Sequence, residues 1–181
     1  MTISSRNKRF TTRRLCADAA LICAALAFSY LEAVLPVSLL IPLPGVKLGL
    51  ANLAVMLAFF VCSPVDAALV SFVRILLSAL LFGSPVSFAF SILGGAMAYG
   101  TLFLSSLAVR KGKLSFIGAS VISSAAHGCG QIIAASVIYS FGAAFYLPVL
   151  MICGIFTGAA IGAILNVLYM RTEKIINVKA K

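Results

Sequence analysis

A small set of polar side chains inside long apolar stretches has the greatest capacity for chemistry in this sequence. They are Glu32, Lys47, Asn52, Arg74, His127 and Gln131. A guanidinium, an ammonium and an imidazole favour contact with a carboxylate or a phosphate, and Arg74 is suited to bidentate contact with such a group. His127 and Gln131 are four residues apart, so they share one face of a helix. The set therefore predicts a binding site for a small anionic molecule.

The same residues have structural interpretations when each is taken singly. Arg74 could form an ion pair with Glu32, and His127 could be bonded to a neighbouring carbonyl in the core. The clustering of the whole set favours a cavity, because ionisable groups at membrane depth are costly and tend to face a bundle interior or water.

The sequence, by contrast, lacks the residues that catalytic chemistry would need. The chain has only four carboxylates and no two of them are close in sequence, whereas Mg²⁺ on a diphosphate is normally held by clustered oxygen ligands. No Gly-rich ATP loop of the Gly-x-x-x-x-Gly-Lys-[Ser/Thr] type is present. One histidine and five scattered cysteines do not make a zinc or iron pattern, and the neighbouring Cys129 and His127 are a weak signal. We expect no catalytic residue, no cofactor and no metal.

The elements that must position the polar set are membrane helices. Of 181 residues, 62% are apolar and 10% charged, and the mean hydropathy is +1.15. Soluble domains average about 45–50% apolar and about 25% charged. The apolar runs lack the alternation of a barrel, and each is long enough for a helix across a bilayer. The sequence predicts an all-α membrane protein, a bundle of six transmembrane helices at 15–35, 46–62, 65–82, 86–109, 114–140 and 143–170.

The basic residues predict the orientation of this bundle. They lie mostly in the N-terminal segment 1–14, in the loop around Arg110 and Lys113, and in the tail 171–181, which flank the transmembrane domain 15–170. Lys and Arg are enriched in cytoplasmic loops, so both termini are expected in the cytoplasm of a multi-pass cell-membrane protein. The net charge of +10 is accounted for in this way, and no nucleic-acid partner is expected. The polar set then lies in the outer half of the bundle, and Asp18, Asp66 and Asn166 lie near the inner surface.

Small residues repeat at helical spacing in the first and last spans. They are Ala20, Ala24, Gly154, Gly158 and Gly162. Such faces let membrane helices approach closely. The glycine face is expected to pack within the bundle, and the alanine face could equally dock onto a partner subunit. The five cysteines are expected to be small buried hydrophobes.

One run, from Leu43 to Asn52, resembles the PGxKLGLAN signature of the bacterial "Gx transporter" family, also catalogued as heptaprenyl diphosphate synthase component I. The resemblance covers about 15–170 and continues with Tyr30-Leu31-Glu32, Arg74-Ile75-Leu76, Leu81-Phe82-Gly83, Ser91 to Gly95, Ala126-His127 and Gly130-Gln131. At Gly128 the chain departs from the family, which usually has Asn after the His.

The family is similar to the substrate-binding S components of energy-coupling factor (ECF) importers. That likeness implies a six-helix protein that binds a vitamin or precursor from outside and works with a transmembrane coupling protein and two ATPases. The S components commonly carry an Ala-x-x-x-Ala face for the coupling protein, and Ala20 and Ala24 match it. The catalogued name implies an alternative, a noncatalytic membrane subunit of a prenyl diphosphate synthase. A self-contained small transporter is a third possibility.

Overall fold

The computed structural model describes residues 12–34, 47–139 and 141–178, and within that part the chain is almost entirely helical, with no strand. The helices are α1 (Thr12–Val34), α2 (Asn52–Leu57), α3 (Pro64–Leu81), α4 (Pro85–Arg110), α5 (Phe116–Ile138) and α6 (Leu147–Val178). A π-helical turn, Ala58–Cys62, extends α2, and a 3-10 turn, Phe141–Tyr146, precedes α6.

Five of these helices are long and apolar enough to cross a membrane: α1, α3, α4, α5 and α6. Large apolar side chains such as Phe72, Leu80, Val137 and Phe156 are exposed on their outer faces, as expected where a helix contacts lipid. The described chain is therefore that of a multi-pass membrane protein. Most of the N-terminal segment 1–14 lies outside the described residues, and α6 continues into the predicted tail.

The second predicted span, 46–62, is wrong in extent. Its helix begins only at Asn52 and ends at Cys62, which corresponds to a rise of about 16 Å, half of a bilayer core. Residues 47–51 are not helical, and Gly49 has a φ of +89°, a conformation that side chains disfavour. Five of the six predicted spans are helices long and apolar enough to cross a membrane, and the second is a short helix preceded by the non-helical residues 47–51.

Serine and glycine define several helix ends. Ser63 and Ser84 are the N-caps of α3 and α4, and each is followed by a proline in the first turn. Each hydroxyl accepts from the backbone N–H three residues later, that of Asp66 and of Ser87. At the end of α4, Gly112 adopts a φ of +69°, and two bonds (Lys113 N to Ala108 O, Gly112 N to Val109 O) form a Schellman closure. These breaks were the ones expected from the sequence.

Glycines let α4, α5 and α6 pack with their backbones close together. A Cβ on Gly130 of α5 would lie 2.5 Å from the carbonyl oxygen of Leu93 on α4. On α6, a Cβ on Gly158 would lie 2.8 Å from Val121 Cα, and one on Gly162 would lie 2.6 Å from Ile117 Cα. Gly154 likewise faces α5, 3.2 Å from the Ser124 carbonyl oxygen by the same measure. The glycine face of α6 therefore lies against α5.

The first helix presents its small face differently. Ala20 and Ala24 are exposed, so none of the described helices covers them. The expectation of buried cysteines is wrong, because Cys16, Cys23 and Cys62 are exposed and the other two are partly buried. The apolar runs predicted apolar surroundings for these thiols, and the membrane supplies such surroundings. A thiol in an apolar run therefore need not face the protein core.

Candidate anion-binding site

The non-helical segment 47–51 enters the bundle and is held there through hydrogen bonds to its backbone. The side-chain amide of Gln131 bonds both backbone groups of Lys47. Lys47 N donates to Gln131 Oε1 at 3.0 Å, and Gln131 Nε2 donates to Lys47 O at 2.8 Å. Three residues later, Leu50 N donates to Oε1 of Glu32 on α1. Gly49 O then accepts from Asn52 N at 2.9 Å, at the start of α2. Side chains from α1 and α5 thus replace the helical hydrogen bonds that this segment forgoes.

The Lys47 side chain reaches α4. Its Nζ donates to Ser91 Oγ at 3.0 Å, and that hydroxyl donates to Ser87 O at 2.8 Å. Lys47 is half-buried and lies outside the helices. Burial lowers the pKa of Lys47, the positive charge of Arg74 lowers it further, and the Glu32 carboxylate opposes both effects. The ammonium therefore lies near one other cation, Arg74, and one carboxylate, Glu32.

Arg74 lies deep in the bundle at 2% exposure. Its Nη2 donates to Asn52 Oδ1 at 3.1 Å, and its Nε is buried without a hydrogen-bond partner in the described part of the chain. It forms no salt bridge with Glu32 there, although the two charges are close enough to influence one another. The structural alternative of a Glu32–Arg74 salt bridge is thus not what the described residues show.

His127 lies in a slot lined by glycine. It is 4% exposed, and neither ring nitrogen has a hydrogen-bond partner among the described side chains and backbone. A Cβ on Gly94 would lie 2.8 Å from its Nδ1, and a Cβ on Gly49 would lie 3.4 Å from its Cδ2. Glycine at position 94 therefore leaves room for the imidazole ring, whereas a Cβ at position 49 would make an ordinary contact with it. Such a ring retains both nitrogens for a ligand or a water molecule.

All six predicted site residues lie in this one region. Asn52 accepts a hydrogen bond from Arg74, and the other five residues fall into two kinds. The side chains of Glu32 and Gln131 form hydrogen bonds with the backbone of the segment 47–51. Lys47, Arg74 and His127 keep a charge or free donors near one another. The atoms left buried without a partner in the described region are Glu32 Oε2, Asn52 Nδ2, Arg74 Nε and both ring nitrogens of His127.

The open space at the site is small. A cleft between Lys47, His127 and α6 residues Leu150 and Cys153 has room for about one water molecule. A drug-sized ligand needs roughly 300–1,000 Å³. The polar groups therefore lie together around a space that holds about one water molecule.

Sequence reasoning missed two residues that shape the site. Ser91, the acceptor for Lys47 Nζ, belongs to a stretch marked only by its resemblance to a family, and no spacing links it to Lys47. Gly49 belongs to the signature, but its position beside the His127 ring is visible only in the folded chain. Ser120 and Ser124, which share the His127 face of α5, contact the glycine face of α6.

Comparison with known proteins identifies one family. The family model described as heptaprenyl diphosphate synthase component I matches residues 21–168, which confirms the family expected from the signature. No curated protein and no solved structure matches the chain.

Proposed function

This chain belongs to the heptaprenyl diphosphate synthase component I family, and we propose that it is the substrate-binding membrane component of an ECF-type importer. In this proposal it captures a small anionic molecule, of the vitamin or precursor kind, from outside the cell. The observation that carries the proposal is the assembly of Lys47, Arg74 and His127 around an inserted segment, with donor atoms buried and unpaired.

Charge balance supports an anionic ligand. Lys47 and Arg74 bring two positive charges into a buried region that contains one carboxylate, Glu32. An uncompensated buried charge is unfavourable, and a carboxylate or phosphate would supply the missing negative charge and accept from Arg74 Nε. His127 adds a neutral donor at the same place. The space at the site holds only about one water molecule, so binding of such a group requires the segment 47–51 to shift.

The proposal assigns separate roles to the six residues. Arg74, His127 and the Lys47 ammonium contact the ligand, with Asn52 orienting Arg74 through its hydrogen bond. Glu32 and Gln131 are positioning residues, since their hydrogen bonds go to the backbone of the segment that presents Lys47.

The exposed alanines of α1 support a partner subunit. Ala20 and Ala24 leave a flat face that the other described helices do not cover. Small side chains allow a second membrane helix to approach closely. We propose that this face docks onto a transmembrane coupling protein that works with ATP-binding subunits. The short α2, with its entry segment, would be the remaining element of a six-helix S component, and both termini would be cytoplasmic.

The family description favours a second function. A noncatalytic membrane subunit of heptaprenyl diphosphate synthase would also use cationic side chains, because a prenyl diphosphate is anionic. A self-contained small transporter would need the same site and no ATPase.

Copurification from native membranes in mild detergent separates these functions. We expect mass spectrometry to find a coupling protein with ATPases, together with a retained anionic small molecule that is lost in Arg74→Gln. Arg110→Gln, at the exposed end of α4, is the matched control and should retain the molecule. A soluble prenyl synthase as the copurifying protein would support the second function. Uptake without any ATPase would support the third, and equal retention in both arginine variants would overturn the assigned site.

A further inference from the structure

A second polar cluster lies near the start of α1 and beside the junction between α2 and α3. It contains Asp18 of α1, Cys62 at the end of the π-helical turn and Asp66 in the first turn of α3. One carboxylate oxygen of each aspartate and the Cys62 Sγ all lie within 4.8 Å of one another. Both aspartates are only 5% exposed, so the folded chain itself covers them.

One of the two carboxylates is already compensated. Arg14 Nε donates to both oxygens of Asp66 at 3.0 Å, and Arg14 Nη2 donates to Ser63 Oγ at 2.9 Å. The other carboxylate is not compensated, because Asp18 Oδ1 is buried with no hydrogen-bond partner within the described ranges. A buried oxygen without a donor is costly, so its position beside Asp66 and Cys62 calls for a positive ligand.

We propose that Asp18, Cys62 and Asp66 bind a divalent transition metal of the zinc class. The charges balance: Arg14 and the ion supply three positive charges, and two carboxylates and the Cys62 thiolate supply three negative ones. Binding transfers the thiol proton to solvent. A thiolate ligand selects zinc-like ions over Mg²⁺ or Ca²⁺, which prefer oxygen.

The geometry is close to what such an ion requires. Ligand bonds of about 2.0 Å for oxygen and 2.3 Å for sulfur place tetrahedral ligand atoms roughly 3.3–3.5 Å apart. Side-chain rotation must therefore bring the three atoms closer by up to about 1.5 Å. Asp66 can accept the ion while Arg14 is bound, since a carboxylate has about four lone-pair sites. Cys62 is the last residue before Ser63, at the junction where α2 ends, and water can occupy the fourth position.

Bound metal would join α1 to the α2–α3 junction, opposite the end at which Glu32 meets the segment 47–51. The site shares no residue with the proposed anion site, so it does not depend on the importer function. It also reverses the expectation of no metal, because the two aspartates approach each other only in the folded chain.

Cobalt titration of the full-length protein tests the site. The protein carries a tag without histidine, is stripped with chelator in detergent and is titrated with Co²⁺. We expect one equivalent to bind with a thiolate-to-cobalt absorption band, and Zn²⁺ to displace it. Cys62→Ser should abolish the band, and Asp18→Asn should weaken binding by about tenfold or more. Cys23→Ser, an exposed cysteine on α1, is the matched control and should keep the band.

Three results would overturn the site: no stoichiometric binding, a band that survives Cys62→Ser, or a band lost in Cys129→Ser beside His127. The first would mean that a proton neutralises Asp18. Melting temperatures in chelator establish that each variant is folded, and Zn²⁺ should raise only that of the wild type and the control. If Cys62→Ser does not fold, Cys62→Ala provides the same test.

Discussion

The side chain of Gln131 and the backbone of Lys47 form a reciprocal pair, in which each donates one hydrogen bond to the other, at 3.0 and 2.8 Å. Eighty-four positions separate the two residues in the chain. An amide side chain can bond both the backbone N–H and the backbone carbonyl of one residue at once, which a carboxylate or an ammonium cannot. Gln131 therefore allows residue 47 to lie inside the bundle without helical hydrogen bonds.

Gln131→Ala should destabilise the protein. The change leaves the Lys47 N–H and carbonyl without partners, and we expect the free energy of unfolding to fall by about 2–4 kcal/mol. Reversible unfolding in mixed detergent measures the difference. Ile133→Ala, an exposed position on the same helix, is the control and should change it much less. Equal effects of the two variants would mean that the reciprocal pair contributes nothing.

Glu32→Gln should lower stability but strengthen anion binding. The amide oxygen can still accept from Leu50 N, so the variant isolates the charge. Without that charge, nothing offsets the repulsion between Lys47 and Arg74. A bound anion then relieves more of this repulsion and binds more tightly. Melting temperatures with and without inorganic pyrophosphate measure both effects, with Glu173→Gln in the C-terminal tail as control. A smaller pyrophosphate-induced rise in Glu32→Gln than in the wild type would contradict the proposed ligand charge.

Alanine at two glycines should have opposite effects on stability. In Gly162→Ala the new methyl would lie 2.6 Å from Ile117 Cα, so α5 and α6 must separate, and we expect a loss of about 1–3 kcal/mol. At Gly100 nothing lies within 4 Å, so Gly100→Ala should be neutral or stabilising by up to about 1 kcal/mol. Thermal unfolding of the two variants in parallel checks the contrast. Similar losses at both positions would show that helix separation is not the cause.

Cysteine labelling should reveal the orientation of α4. In a cysteine-free background, Pro85→Cys places a thiol at the exposed start of α4, and Lys113→Cys places one at an exposed position just beyond its end. A membrane-impermeant maleimide added to intact cells should label position 85, and position 113 only after the membrane is opened. The reverse pattern would place the basic loop outside and would invalidate the positive-inside assignment.

The sequence alone determined the class of protein and the outline of its helices. Apolar length, Ser-Pro breaks and basic loops are local properties, so they predict spans such as 65–82 and 86–109 to within a few residues of α3 and α4. The same information grouped Arg74, His127 and Lys47, because ionisable residues in apolar runs must face one another.

The tertiary structure decided what each of those residues does. Whether residues 47–51 continue α2 depends on Gln131 and Glu32, which lie on distant helices and supply bonds that no local pattern specifies. Likewise, Asp18 and Asp66 are far apart in sequence, yet α1 and α3 bring their carboxylates together beside Cys62. Hydropathy and charge act along the chain and can be read from it. Hydrogen-bond partners and ligand sets depend on distances that exist only once the helices have packed.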